Sequence, residues 1–167
     1  MSTNVTIEIL KNAILMERRG QAFYQKVAEQ SESKTVREFF TLMAAEEEEH
    51  IHVLSQQFKT YIQQEKFLAP VDVYQTSSGF ATKILTQEVK NEISSAGFEA
   101  AAISAAIAME KGAIALYSDR AGNSDNPDEK QLYDWLAGWE KEHLNFLIDV
   151  EKELKEKIWF DNQFWPF

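Results

Sequence analysis

The stretch MAAEEEEHIHVL (residues 43–54) decides the fold. Four consecutive acids and a histidine would ordinarily lie on a solvated helix surface, yet apolar residues on both sides recur at helical spacing. Val36, Phe40, Met43, Glu47, His50 and Leu54 alternate in steps of four and three, the spacing of a buried helix seam. Glu48 falls about 100° around the helix from Glu47 and reads as solvated. Glu47 and His50 are expected to point inward.

Working outward, the same alternation recurs three times. It runs through Leu10, Ile14, Glu17, Gln21 and Tyr24, then Ile103, Ile107, Glu110, Ile114 and Tyr117, then Tyr133, Leu136, Glu140, His143, Leu147 and Val150. The spacing predicts helices at about 6–30, 34–65, 96–122 and 127–158. Breaks at EQSESKT and GNSDNPDE separate them in pairs, with Ser33 and Asn126 as N-caps and Pro127 at a first helical position. The segment 66–95 is then a crossover between two hairpins, with a short helix expected near 83–93 through Ile84, Leu85, Val89 and Ile93. The expected fold is all-α, a four-helix bundle.

The halves are related. Residues 13–54 align without a gap on 106–147, a shift of 93, with thirteen identities in forty-two positions. AILME (13–17) lies on AIAME (106–110), Tyr24 on Tyr117, and EEEHIHVL (47–54) on EKEHLNFL (140–147). Each half therefore offers one Glu on its first helix and a Glu-x-x-His on its second, where the i, i+3 spacing puts both side chains on one face.

Four carboxylates in one core would be severely unfavourable alone, at several kcal/mol each even after relaxation, by rough reckoning. Protonation could neutralise them, and Lys or Arg could pair with them, but none stands on the four seams. Two divalent cations balance four carboxylates, and two neutral imidazoles complete the shells. A lone Glu-x-x-His means little; the joint pattern points to a two-metal site.

Composition narrows the rest. The 167 residues suffice for one domain with its own core, 44% hydrophobic, and only 6 Gly and 3 Pro interrupt helices. The formal charge of −10 argues against nucleic-acid and anionic-membrane partners. The absence of Cys excludes disulfides, thiolate metal sites and thiol catalysis. MSTNVTIEIL lacks a signal-peptide layout, and the longest apolar stretch (100–109) is far shorter than the roughly 20 residues of a membrane span. A soluble cytoplasmic protein is expected.

AILMERRGQAFY (13–24), MAAEEEEHIHVL, AIAMEKGAIALY (106–117) and LAGWEKEHLNFL (136–147) resemble the helices of the ferritin-like superfamily, closest to its rubrerythrin branch. The ligand layout is that of di-iron and di-manganese carboxylate bundles. The resemblance implies a bundle over residues 1–158, with Glu17, Glu47, His50, Glu110, Glu140 and His143 as metal ligands and Glu47 and Glu140 as bridges. It places Tyr24 and Tyr117 where the family has tyrosines beside its ligands; as residues alone they read equally well as core aromatics.

The chain departs from typical rubrerythrins twice. It has no Cys for a rubredoxin-like module, so electrons are expected from a separate donor. It has Ala113 where the family carries an extra carboxylate, a departure from rubrerythrin-type peroxidase chemistry. Oxygen and nitrogen ligands suit two Fe ions, with Mn or a mixed pair as alternatives and Zn as an occupant on purification. The leading expectation is a di-iron oxidoreductase reducing peroxide or dioxygen. The alternatives are a ferroxidase or iron-handling protein and a non-catalytic metal-binding bundle. The tail 159–167 carries Trp159, Phe160, Phe164, Trp165 and Phe167. It reads either as a cover for its own bundle or as part of a homo-oligomer interface, dimer or larger.

Overall fold

The computed structural model describes residues 3–68, 91–93 and 97–161. Four long helices carry the described chain: α1 (Thr3–Gln30), α2 (Lys34–Gln64), α3 (Gly97–Asn123) and α4 (Pro127–Asp161). Their bounds lie within three residues of those expected from spacing. The segments 69–90 and 94–96 and the tail residues 162–167 lie outside the described residues. So does most of the short helix expected at 83–93, although 91–93 are helical and Ile93 is fully buried.

Both hairpin turns close as the caps dictate. Ser33 accepts the Val36 N–H at 3.2 Å, and Asn126 Oδ1 accepts the N–H groups of Asp128 and Glu129 at 2.9 and 3.2 Å. Each satisfies donors that the first helical turn leaves unpaired. α2 ends at Glu65, whose φ of 54° places it in the left-handed region while its N–H reaches the Tyr61 carbonyl. The buried Gln57 then clamps the departing chain, donating to the Leu68 carbonyl and accepting the Leu68 N–H.

α1 packs along α2 and α3 along α4, and the two hairpins meet as a four-helix bundle. The seams bury as their spacing requires, except that Ile14, Gln21 and Ile114 are half-buried. Two apolar clusters fill the interior. One gathers Tyr24, Phe39, Phe40, Ile103, Phe146 and Val150; the other gathers Leu10, Leu54, Tyr117, Leu132, Tyr133 and Leu136. Tyr24 stacks on Phe40 at 6.1 Å and 25°, and Tyr117 on Tyr133 at 5.8 Å and 24°, so the sequence repeat is also a repeat in packing. By composition and length α3 could cross a membrane, but here it turns Ile103, Ile107, Glu110 and Tyr117 into the bundle.

Candidate metal centre

Glu17, Glu47, His50, Glu110, Glu140 and His143 are each no more than 3% exposed. Glu48 and Glu49 are exposed, so the run of acids divides between core and solvent as helical geometry demands. All six sequence-derived residues converge. Their ligand atoms form two groups, Glu17, Glu47, His50 and Glu140, and Glu47, Glu110, Glu140 and His143. Within each group these atoms lie within 4.8 Å of one another, and Glu47 and Glu140 belong to both.

The imidazoles present Nδ1 to the carboxylates. His50 Nδ1 lies 2.9 Å from Glu140 Oε1, 3.2 Å from Glu17 Oε2 and 3.5 Å from Glu47 Oε2. His143 Nδ1 lies 3.2 Å from Glu140 Oε2 and 3.8 Å from Glu110 Oε1. The tyrosines cross between hairpins. Tyr24 on α1 donates its hydroxyl proton to Glu110 on α3, and Tyr117 on α3 donates to Glu17 on α1. Both are therefore packed in the core and hydrogen-bonded to the carboxylate cluster. Gly20 also serves the site. A Cβ there would sit 3.3 Å from Glu47 Cδ, so the missing side chain lets that carboxylate seat against α1.

Burial pushes the carboxyls of Glu47 and Glu110 well above the ordinary glutamate range, and the charge of Glu140 adds to the effect. Glu140 is the exception. Burial raises its carboxyl too, but His50 and His143 together pull it well below the usual value. For both histidines burial favours the neutral ring and is outweighed by the surrounding carboxylates, which raise their pKa values. Burial, reinforced by the neighbouring acids, holds both tyrosines well above the usual phenol range, so the two hydroxyls keep their protons.

The donor set fits a pair of cations. Among the described residues no Lys or Arg lies within ion-pair distance of the four glutamates, whose only such partners are the two imidazoles. Removing four ionised carboxylates from water demands compensating positive charge or protons. Oxygen and imidazole donors without thiolate match iron or manganese.

Two residues of the site escaped the spacing argument. Glu46 is only 6% exposed, and its Oε2 meets His143 Nε2 and accepts the Trp139 indole N–H at 3.3 Å. Trp139 stands 93 positions after Glu46, at the equivalent place in the repeat, and its ring meets His50 edge-on with centroids 4.5 Å apart. A signal existed: Phe39, Glu46 and Val53 recur every seven residues and mark a second buried line on α2.

The family model described as Rubrerythrin matches residues 8–151, a span holding all six convergent residues, both tyrosines and Glu46. No curated protein and no solved structure gives a significant match.

Proposed function

The chain belongs to the rubrerythrin family, and from that premise we propose a di-iron or di-manganese oxidoreductase that reduces peroxide or dioxygen with electrons from a separate donor. One observation carries this reading: two buried groups of Glu and His side chains share Glu47 and Glu140. A pair of reduced metal ions held by these residues would supply two electrons to an oxygen–oxygen bond.

Glu17 and His50 would hold one ion and Glu110 and His143 the other, with Glu47 and Glu140 common to both. Tyr24 and Tyr117 hold the outer carboxylates in place and keep a proton on each phenolic oxygen beside them. The apolar clusters on either side exclude bulk water, which strengthens every electrostatic contact between them. The chain has no cysteine with which to carry its own thiolate redox centre, which supports an external donor. We place the protein in the cytoplasm as a dimer or larger homo-oligomer; deleting residues 159–167 and measuring mass in solution tests whether the tail builds that interface.

A second reading, oxidation of ferrous iron for storage or transfer, is favoured by the buried Ala113. It leaves α3 without the additional carboxylate of typical rubrerythrins. Metal analysis and an optical spectrum of the freshly purified protein, followed by rapid mixing of the reduced form with peroxide, test the first reading. Two ions per chain and fast reoxidation by peroxide are expected. Slow peroxide turnover with iron uptake far beyond two ions per chain would replace it with the second. Absence of bound metal would leave a non-catalytic bundle.

A further inference from the structure

The six convergent residues obey the 93-residue repeat, but the partners of their histidines do not. His143 turns Nδ1 toward Glu110 and Glu140 and Nε2 toward Glu46 on the opposite hairpin. His50 also turns Nδ1 toward carboxylates, yet its buried Nε2 has no hydrogen-bond partner among the described residues. Where the repeat would supply a mirror-image acceptor stands Trp139. An indole N–H is only a donor, and this one is given to Glu46. The His50 ring instead packs edge-on against Trp139 and Trp135, with centroids 4.5 and 6.0 Å away.

We infer that Glu46 is a positioning residue that makes the two metal positions unequal: the one containing His143 binds its ion tightly and fills first, and the one containing His50 binds weakly and exchanges. The inference rests on the metal-centre reading above. A carboxylate accepting the outer N–H of a ligand imidazole fixes its tautomer, leaves the inner nitrogen's lone pair toward the ion, and makes that nitrogen a better donor. His143 has this arrangement. His50 does not: with Nδ1 turned to a metal, its Nε2–H would be buried against indole rings with no acceptor. Loss of such an outer partner typically lowers metal affinity by about 10–100-fold, and the two positions should differ by about that factor. Trp139 contributes to both sides of the difference, since it fills the place of an acceptor at His50 and donates to the acceptor at His143.

Titration of the metal-free full-length protein with Co²⁺, followed by calorimetry and by the visible band of the bound ion, tests this without any turnover. Two steps separated by about 10–100-fold are expected in the natural protein. Glu46→Ala should weaken the tight step by that factor and leave the weak one in place, merging the two. Glu46→Gln keeps an acceptor of the same shape and should retain part of the separation. Two indistinguishable steps in the natural protein would overturn the inference while leaving the metal centre standing. Equal weakening of both steps by Glu46→Ala would also overturn it, by showing that Glu46 merely supports the packing. No cobalt binding at all would overturn the metal-centre reading itself.

Discussion

The first hairpin, α1 with α2, and the second, α3 with α4, share a plan at the centre and differ at the edges. Glu17 and Glu110, Glu47 and Glu140, His50 and His143, and Tyr24 and Tyr117 are identical pairs that meet around one point. Away from that point the pairs diverge. Arg120 and Glu129 form a buried ion pair near the turn of the second hairpin, with Ser124 donating to Glu129; Val27 and Val36 occupy the equivalent places in the first. Among the described residues, buried charge is retained in both halves only where the four helices converge. Elsewhere either solution serves, which separates what the centre requires from what packing tolerates.

The strongest way to break this comparison is at the residues common to both groups. Glu47→Ala and Glu140→Ala should each lower occupancy of both positions together, beyond the about 10–100-fold loss typical of an outer partner. Glu48→Ala, on the solvated face, should leave metal content unchanged. Metal analysis of the three variants decides, and equal losses from all three would contradict the division of the acidic run.

The edges offer a test of stability rather than metal. Glu129→Ala removes the Glu129 carboxylate from the buried Arg120 guanidinium and should cost about 3–5 kcal/mol in denaturant unfolding. Changing both, Arg120→Val with Glu129→Val, copies the first hairpin and should recover most of that loss or exceed the natural protein. A double variant as unstable as the single one would mean that the ion pair has no apolar substitute.

A smaller effect sharpens the symmetry itself. Tyr24→Phe and Tyr117→Phe each remove one buried hydrogen bond to a carboxylate and should each destabilise the metal-free protein by about 1–3 kcal/mol. The two losses should agree closely, because each phenol stacks on an equivalent ring and crosses to an equivalent acid. Strongly unequal losses would show that the halves diverge at the centre as well.

The smallest effect comes from Gly20, which lies against the site. Ala113→Gly should cost about 1 kcal/mol in helix propensity. Gly20→Ala, the mirror change, should gain less than that, since its Cβ presses on Glu47 at 3.3 Å. The shortfall in thermal unfolding measures how firmly that carboxylate is seated. A full gain would mean that Glu47 yields freely.

The bundle was legible in the sequence because long helices with few Gly or Pro let periodicity and caps speak without interruption. Ser33 and Asn126 mark both turns, and charge inside otherwise apolar seams locates the centre. Glu46 was hidden for a physical reason. A helix in a four-helix bundle buries a wide face, whereas a single seam describes only one line along it, and inside a run of four acids only the second line through Phe39 and Val53 separates Glu46 from the exposed positions. Arg120 and Glu129 were hidden similarly, since their pairing spans a turn and belongs to neither helix's own period. Gln57 acts on the backbone of Leu68, which no side-chain pattern records.

The duplicated hairpin has one more consequence, and it concerns inheritance. Two separate copies of a single hairpin, paired about a twofold axis, would present the four acids, two imidazoles and crossed phenols equally well. Such a pair, however, is encoded once, so any change at one edge appears at the other; a glutamate at the place of Glu46 forces a glutamate at the place of Trp139. Carried on one polypeptide, the two positions can differ, and one is an acid while the other is an indole. Joining the halves in one chain thus contributes no ligand that a pair of hairpins would lack, but it lets each half vary separately.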